Sequence, residues 1–367
     1  MPDVNRRLMT RKTAPGETRI EEIPPKSKLS EGEVVLALDR FSLTTNNISY
    51  TAYGDTIGYW RFFPTGHDEF GLMPVWGFAD VVASRVAGVE VGARVFGYFP
   101  MADTLVVQAG KVSRDGFADV SSWRTPLPDI YNRYTLCAGD PNYSPALENS
   151  EALFRPLFIT SYTAVDFLRE NAFFGACQIV VSSASSKTGY GAAYCMAGDA
   201  IRLVALTGTR NRDFVEGLGV YNAVHGYDEL ESLETGLPTL YLDMAGDPGL
   251  RHRVHERFGA DLVYDCLVGS TQADTMSRAD PGLRGPRPVF FFAPQSLGQH
   301  REKGTLPAFL ERFQSDQRGF FERVVDSAAP WIHISEHKGL EAAASVIRDL
   351  AAGAADPMQG AIVRIAR

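Results

Sequence analysis

The chain has 367 residues, 45% hydrophobic and 22% charged, with a formal net charge of −8 and a pI near 5.5. That length allows two domains with sizeable cores, and the composition is that of an ordinary globular protein. The acidic balance argues against a nucleic-acid surface, and no apolar run approaches the roughly 20 residues that span a bilayer. The opening stretch MPDVNRRLMTRK is basic but lacks the apolar core of a secretory signal. Cys137, Cys177, Cys195 and Cys266 lie far apart with no CxxC pair, which leads to an expectation of reduced thiols in a cytoplasmic protein.

Up to about residue 150, short apolar runs alternate with turn residues: VVLALDRF, WGFADVVAS, ARVFGYFP and TLVVQAG. That is a β-rich pattern. Beyond it, strands alternate with helices in the manner of a parallel α/β sheet. The pattern predicts helix 160–170, strand 178–183, helix 189–197, strand 201–207, helix 211–218 and a weaker strand at 223–225. Strand 239–244, helix 248–258, strand 261–268 and strand 288–293 follow, with 269–287 as a polar loop. GLEAAASVIRDLAAG and GAIVRIAR read as a closing helix and strand.

One strand–turn–helix unit carries chemistry. In VVSSASSKTGYGAAYCMAG, residues 180–198, Ser183, Ser186 and Gly189 occupy the three positions of a G-x-x-G-x-x-G variant. A turn that grips a dinucleotide diphosphate needs close backbone approach, helix N–H groups aimed at the anion, and tight helix–strand packing. Serine meets the first need by donating its hydroxyl, and Ser185 and Thr188 add two more hydroxyls to the turn. Lys187 adds positive charge where an anion is expected. Gly189, Gly191 and the alanines after them permit close approach to the sheet. A serine-rich loop with no ligand is the competing reading.

The next strand, IRLVALTG, starts at the distance expected for the second strand of a βαβ unit. An NAD site places an acidic residue at that strand's end. Here the end reads Thr207, Gly208, Thr209, Arg210, Asn211 and Arg212. Hydroxyls followed by arginines suit a 2′-phosphate, so NADP(H) is favoured over NAD(H). The alternative is a solvated basic helix start.

PLFITSYTAVDFLREN, IVVSSASSKTGYGAA and LTGTRNRDFVEGLG together resemble the cofactor domain of the medium-chain dehydrogenase/reductase superfamily. PVWGFADVVASRVAGVEVGARVFGYFP resembles a run in that superfamily's GroES-like barrel, and HKGLEAAASVIRDLAAGAADPMQGAIVRI resembles its closing helix and strand. YGDTIGYWRFFP and PVWGFADVV are most similar to a branch known only as a domain of unknown function. The resemblance implies an α/β protein. Residues 1–150, completed by about 325–367, would form a GroES-like β-barrel substrate domain, and 151–324 a Rossmann domain with a doubly wound parallel sheet. It also implies a zinc-free reductase that uses NADP(H), takes a small-molecule substrate between the domains and forms a homodimer. Two departures stand out: the turn has lost two of its three glycines, and Ala93 replaces an aspartate of the barrel motif.

TGHDEFG, residues 65–71, resembles a zinc-ligand segment, yet the cysteine expected near residue 44 is missing from Leu43, Thr44, Thr45, Asn46 and Asn47. A catalytic zinc needs three placed protein ligands, so no metal is expected and His67 is read as a loop residue.

Without a metal, charge left on the substrate must be met by a proton donor. TTNNISYTAYGD resembles the segment in which the superfamily's zinc-free members carry an asparagine and a tyrosine, with Thr44 standing where that asparagine usually sits. The resemblance implies that Tyr50 or Tyr53 donates and Asn46 or Asn47 positions, although tyrosines in β-rich domains also serve as packing. Tyr59, Trp60 and Arg61 in YWRFFP form either a substrate slot with one cation or a packed lid beneath which Arg61 snorkels. In PVFFFAPQ, Phe292, Ala293 and Gln295 would lie over the nicotinamide. RTPLPDIYNRYTLCAGDPNY, 124–143, is read as an excursion of the first domain. The resemblance to the superfamily's zinc-free members implies NADPH-dependent reduction of an activated C=C in an enone, quinone or enoyl-type substrate, with tyrosine or water as proton donor. Carbonyl reduction, a lyase-type step and a non-catalytic cofactor-binding scaffold are the alternatives.

Overall fold

In the computed structural model, residues 4–52, 54–56, 58–268 and 282–365 are described. The chain divides into two compact units, Met1–Leu153 with Ile332–Arg367, and Phe154–Trp331.

The first unit begins with β1 (Asn5–Arg11), β2 (Ala14–Ile23) and β3 (Glu33–Leu43), then helix α1 (Thr45–Ala52). Next come β4 (Phe70–Gly71), β5 (Pro74–Ser84), β6 (Arg94–Pro100), β7 (Thr104–Ser113), β8 (Gly116–Asp119) and β9 (Arg133–Leu136). Strands pair in the order β3-β5-β6-β9-β8-β7, and β7 returns to pair with β3, so six strands close into the expected GroES-like barrel. Closure removes the free edges that short strands otherwise expose. Val34, Leu36, Val75, Phe99 and Val107 belong to its core cluster. Where β3 crosses β5, a Cβ on Gly77 would lie 2.0 Å from the Arg40 carbonyl oxygen, so only glycine fits there. The 124–143 segment is no excursion. It supplies β9 to the barrel wall and a fully buried Arg124, which donates to Asn132 Oδ1 at 2.9 Å, Asp119 Oδ2 at 3.2 Å and the Tyr134 hydroxyl at 3.0 Å.

Helix α2 (Glu148–Glu170) leads on to β10 (Gln178–Val181), α3 (Lys187–Met196), β11 (Arg202–Thr207), α4 (Arg212–Gly217), β12 (Ala223–Gly226) and β13 (Thr239–Asp243). Then follow α5 (Pro248–Phe258), β14 (Leu262–Leu267), β15 (Val289–Phe290), α6 (Ala293–Glu302) and α7 (Leu306–Val324). The sheet is parallel with order β12-β11-β10-β13-β14-β15. This is the doubly wound Rossmann arrangement, whose order reverses between β10 and β13, and ligands of such sheets bind at that reversal. The strand expected at 288–293 stops at Phe290, because α6 starts at Ala293 with a proline in its first turn. The helix expected at 160–170 begins at Glu148. Helix α7 was not expected; it buries Phe309, Phe313, Phe320 and Phe321, and Phe320 stacks on Phe158 at 4.5 Å.

The chain closes in the first unit with β16 (His333–Lys338), α8 (Gly339–Ala351) and β17 (Gln359–Arg364), where β17 pairs antiparallel with β3.

Candidate functional site

In the second unit, the end of β10 is tied to the end of β13. Ser182 Oγ donates to Asp243 Oδ1 at 3.0 Å and accepts the amides of Met244 and Ala245 at 3.0 and 3.1 Å. Asp243 is fully buried. It also accepts from Gly246 N at 2.9 Å, the Tyr241 hydroxyl at 3.1 Å, and Arg251 through Nε at 3.0 Å and Nη2 at 2.6 Å. Every lone pair of this carboxylate is engaged, so it fixes the floor of the reversal point and has none left for a ligand.

The turn beyond is built as a glycine turn would be, without the glycines. Ser183 adopts φ +47°, the left-handed region that glycine enters without steric cost. Its amide donates to the Tyr227 hydroxyl at 3.0 Å. Ser186 caps α3, its Oγ accepting the Gly189 amide at 3.1 Å. A Cβ on Gly189 would meet the Ser183 carbonyl at 2.7 Å, so glycine is required at the one position that keeps it. Ser185 Oγ accepts from Asn211 Nδ2 at 3.1 Å. The hydroxyls of Ser185, Ser186 and Tyr227 thus each accept an N–H and keep their own proton for donation. Lys187 and Thr188 open α3, where helix N–H groups lack intrahelical acceptors.

At the end of β11, Thr207 is fully buried and its hydroxyl has no hydrogen-bond partner among the described residues. Thr209 and Arg210 are exposed in a 3-10 turn, and the Arg210 guanidinium makes no ion pair among the described residues. Arg212, by contrast, is held by Glu216 at 3.0 Å and Glu229 at 2.9 Å. Phe292 caps α6 and stacks on Phe290, while Ala293 packs into the sheet's core cluster. Tyr227 was missed by sequence reasoning. Its only signal is an aromatic just after a weak third strand, in AVHGYDEL.

In the first unit, Asn47 is a clamp. Its Oδ1 accepts the Thr44 amide at 2.8 Å and its Nδ2 donates to the Pro74 carbonyl at 3.0 Å, binding the start of α1 to β5. Three residues on, Tyr50 is buried, and its hydroxyl accepts from Trp76 Nε1 at 3.2 Å. Burial raises the Tyr50 pKa well above the ordinary tyrosine value and nearby Tyr131 adds to this, while hydrogen bonds from Trp76 and Asn46 act in the opposite direction. Tyr53 lies outside the described residues. Tyr59 packs against the Tyr50 ring at 4.7 Å and shares a 3.2 Å hydrogen bond with the Tyr131 hydroxyl. Trp60 belongs to the barrel core, pressed between Gly54 and Gly71, where a Cβ would lie 1.9 and 2.2 Å from its ring. Arg61 is exposed. The structure therefore brings Tyr50, Tyr59 and Asn46 together, while Trp60 packs in the barrel core and Arg61 is exposed.

His67 Nε2 lies 2.9 Å from Glu21. Elsewhere, Asp166, Glu170 and His300 bring possible metal ligands within 4.8 Å of one another. Protein cations already neutralise those carboxylates, with Arg312 at 3.5 Å from Asp166 and Lys303 at 3.3 Å from Glu170. Among the described residues, no helix is long and apolar enough to cross a membrane.

Solved structures with the same fold span the full chain. CurA from Vibrio vulnificus in complex with NADPH shares 14% identity over 99% of each chain, with a TM-score of 0.63. The yhdH oxidoreductase from Salmonella enterica in complex with NADP shares 14% over 98% of this chain and 100% of its own, with a TM-score of 0.59. The quinone oxidoreductase from Coxiella burnetii shares 13% over 99% and 100%, with a TM-score of 0.57. No curated protein matches the sequence. The family described as "Protein of unknown function (DUF2855)" matches residues 41–356, most of the chain, and the protein belongs to that family.

Proposed function

We propose that this protein is a zinc-independent, NADPH-dependent reductase of activated carbon–carbon double bonds in enones, quinones or enoyl-type substrates. The observation that carries the cofactor assignment is the Asn211–Ser185 hydrogen bond, which joins the serine turn to the β11 end bearing the uncommitted Arg210. The residues fit a 2′-phosphorylated dinucleotide. Hydroxyls of Ser185, Ser186 and Tyr227 and the first turn of α3 face the diphosphate's needs, and Thr207, Thr209 and Arg210 those of the 2′-phosphate. The shared fold with proteins solved with NADPH and NADP supports the same reading. When bound, NADPH supplies the hydride.

The chain's own residues then have two tasks. Those around the turn hold and orient the dinucleotide. Tyr50, protonated throughout the working pH range because burial keeps its pKa high, delivers a proton to the enolate that reduction leaves on the substrate. Asn46 orients the phenol. Tyrosine replaces the Lewis acid of a metal enzyme, so EDTA treatment should leave the rate unchanged.

The test is titration with NADPH followed by nicotinamide fluorescence, then NADPH oxidation against enones, quinones and saturated ketones. Tight NADPH binding with turnover of enones or quinones supports the reading. Turnover of ketones alone would move the assignment to carbonyl reduction, and absence of binding at high micromolar NADPH would end it.

A further inference from the structure

Trp76 lies on β5 among aromatic neighbours. It stands directly across from Tyr98 of β6 in the barrel register, stacks on Phe96 at 5.7 Å with 16° between planes, and packs against the Tyr98 and Tyr131 rings at 4.9 and 5.9 Å. Its indole N–H is the only donor on its side chain, and it goes to the Tyr50 hydroxyl at 3.2 Å. Two residues earlier on β5, Pro74 receives the Asn47 side chain. Asn47 and Tyr50 are three apart on α1 and so share one face of it, and Pro74 and Trp76 are two apart on β5 and share one face of the strand. The barrel wall thus fixes both the start of α1 and the reactive end of its tyrosine.

We propose that Trp76 is a positioning residue for proton delivery by Tyr50: its N–H holds the phenol oxygen in place and stabilises the negative charge left there when the proton departs. The inference rests on Tyr50 as the acid in the reaction above. In that step the Tyr50 O–H bond breaks and its electron pair stays on Oη. The proton forms a new C–H bond with the enolate electron pair, so charge moves from substrate to tyrosine. A water molecule then reprotonates the tyrosinate, and the hydroxide it leaves is neutralised by a proton from bulk solvent. A tyrosinate in a buried site lacks solvation, and a fixed donor aimed at its oxygen replaces that solvation without reorganisation. Before transfer, the phenol oxygen accepts from Trp76, which leaves its own hydrogen for an acceptor other than the indole.

The test combines three variants with a readout on the free protein. Trp76→Phe retains the stacking surface and removes the donor. It is expected to lower kcat about tenfold to hundredfold, the range for losing a hydrogen bond to a charged group, with little change in KM. Trp76→His, which retains a ring N–H, should recover part of that loss. With 2,3,5-trifluorotyrosine placed at position 50, whose more acidic phenol brings the raised ionisation into the range of the folded protein, fluorine NMR of the free protein should show ionisation moved to higher pH by about one unit or more in Trp76→Phe. An unmoved titration, or equal losses in the Phe and His variants, would overturn the proposal and leave Trp76 as packing. Tyr50→Phe separates this from the parent reading. Full activity in Tyr50→Phe removes Tyr50 as the acid, whereas an inactive Tyr50→Phe beside a fully active Trp76→Phe removes only the role of Trp76.

Discussion

Asn211 Nδ2 donates to Ser185 Oγ at 3.1 Å, and beside the Ala184 amide's bond to the Leu206 carbonyl at 3.1 Å it links two segments that stand 26 residues apart in sequence. The serine turn and the end of β11 are thereby fixed as a single surface. Asn211→Ala should loosen NADPH by up to about tenfold, the equivalent of one neutral hydrogen bond of roughly 0.5–1.5 kcal/mol. The melting temperature should change little, since the bond joins half-buried loops. Fluorescence titration beside a thermal melt checks both, and an unchanged affinity would show that the two segments act independently.

The two arginines after β11 should behave differently. Arg212 is committed to Glu216 and Glu229, whereas Arg210 is exposed with no ionic partner among the described residues. Arg210→Ala should weaken NADPH by about 1.5–3 kcal/mol, the range for a charge-assisted hydrogen bond, and leave NADH nearly unchanged. Arg212→Ala should change both cofactors little. Parallel titrations decide the matter, and equal losses for NADPH and NADH in Arg210→Ala would remove the 2′-phosphate contact.

Ser183 is held in a conformation that its side chain disfavours, and the Tyr227 hydroxyl is what meets its amide there. Tyr227→Phe strips that amide of its acceptor and should destabilise the second unit by about 1–3 kcal/mol. Ser183→Gly relieves the left-handed strain and should stabilise it by about 1 kcal/mol. Urea unfolding of the two single variants and the double variant measures both effects. A Tyr227→Phe protein as stable as the parent would mean that water satisfies the amide equally well.

That turn also shows what the sequence makes legible. The apolar run of β10, the small residues of α3 and the spacing to β11 are local signals, and they locate the parallel sheet and its turn. The partner of Ser183 is not local. Tyr227 lies 44 residues away, and nothing in AVHGYDEL marks it. The barrel behaves similarly: its strands announce themselves by alternation, but the β3–β7 pairing that closes it is a long-range fact. Arg124 was hidden because arginine within RTPLPD reads as surface, and only the tertiary set of Asp119, Asn132 and Tyr134 makes its burial tolerable. Helix α7 was legible and overlooked, since Phe309, Phe313 and Phe320 recur at helical spacing. At β15 the apolar run PVFFFAP overstated the strand, because a proline at the start of α6 outweighs β propensity.

Barrel closure depends on Gly77. An added methyl would lie 2.0 Å from the Arg40 carbonyl oxygen and 2.7 Å from the Phe41 Cα. Both are backbone atoms that cannot swing aside, so β3 and β5 would have to separate. Gly77→Ala should cost about 3 kcal/mol, at the upper end for overpacking. Gly217→Ala is the control: nothing lies within 4 Å of its position on α4, and alanine there should add about 0.5–1 kcal/mol. Denaturant unfolding of both distinguishes a site-specific clash from a general intolerance of substitution.

Acid stability of the first unit should depend on Asp39. Burial alone would raise its pKa, but hydrogen bonds from Arg94 and Arg40 outweigh burial and leave it below the ordinary aspartate value. A carboxyl with a depressed folded pKa binds its proton more weakly in the folded than in the unfolded chain, so its ionised form favours folding. The stabilisation is fully present above the unfolded value near 4 and is lost as pH falls through the lower folded value. Arg94 also contacts Asp80 at 2.9 Å and the carboxylate of Glu148, so protonating Asp39 removes one of its three anionic partners. The melting temperature should therefore fall as the pH drops below about 4, and Asp39→Asn, which has no proton to gain, should lower it at neutral pH and flatten that dependence. If the variant and the parent lose stability in parallel across that window, the acid sensitivity lies in other carboxylates and the Asp39–Arg94 pair does not set it.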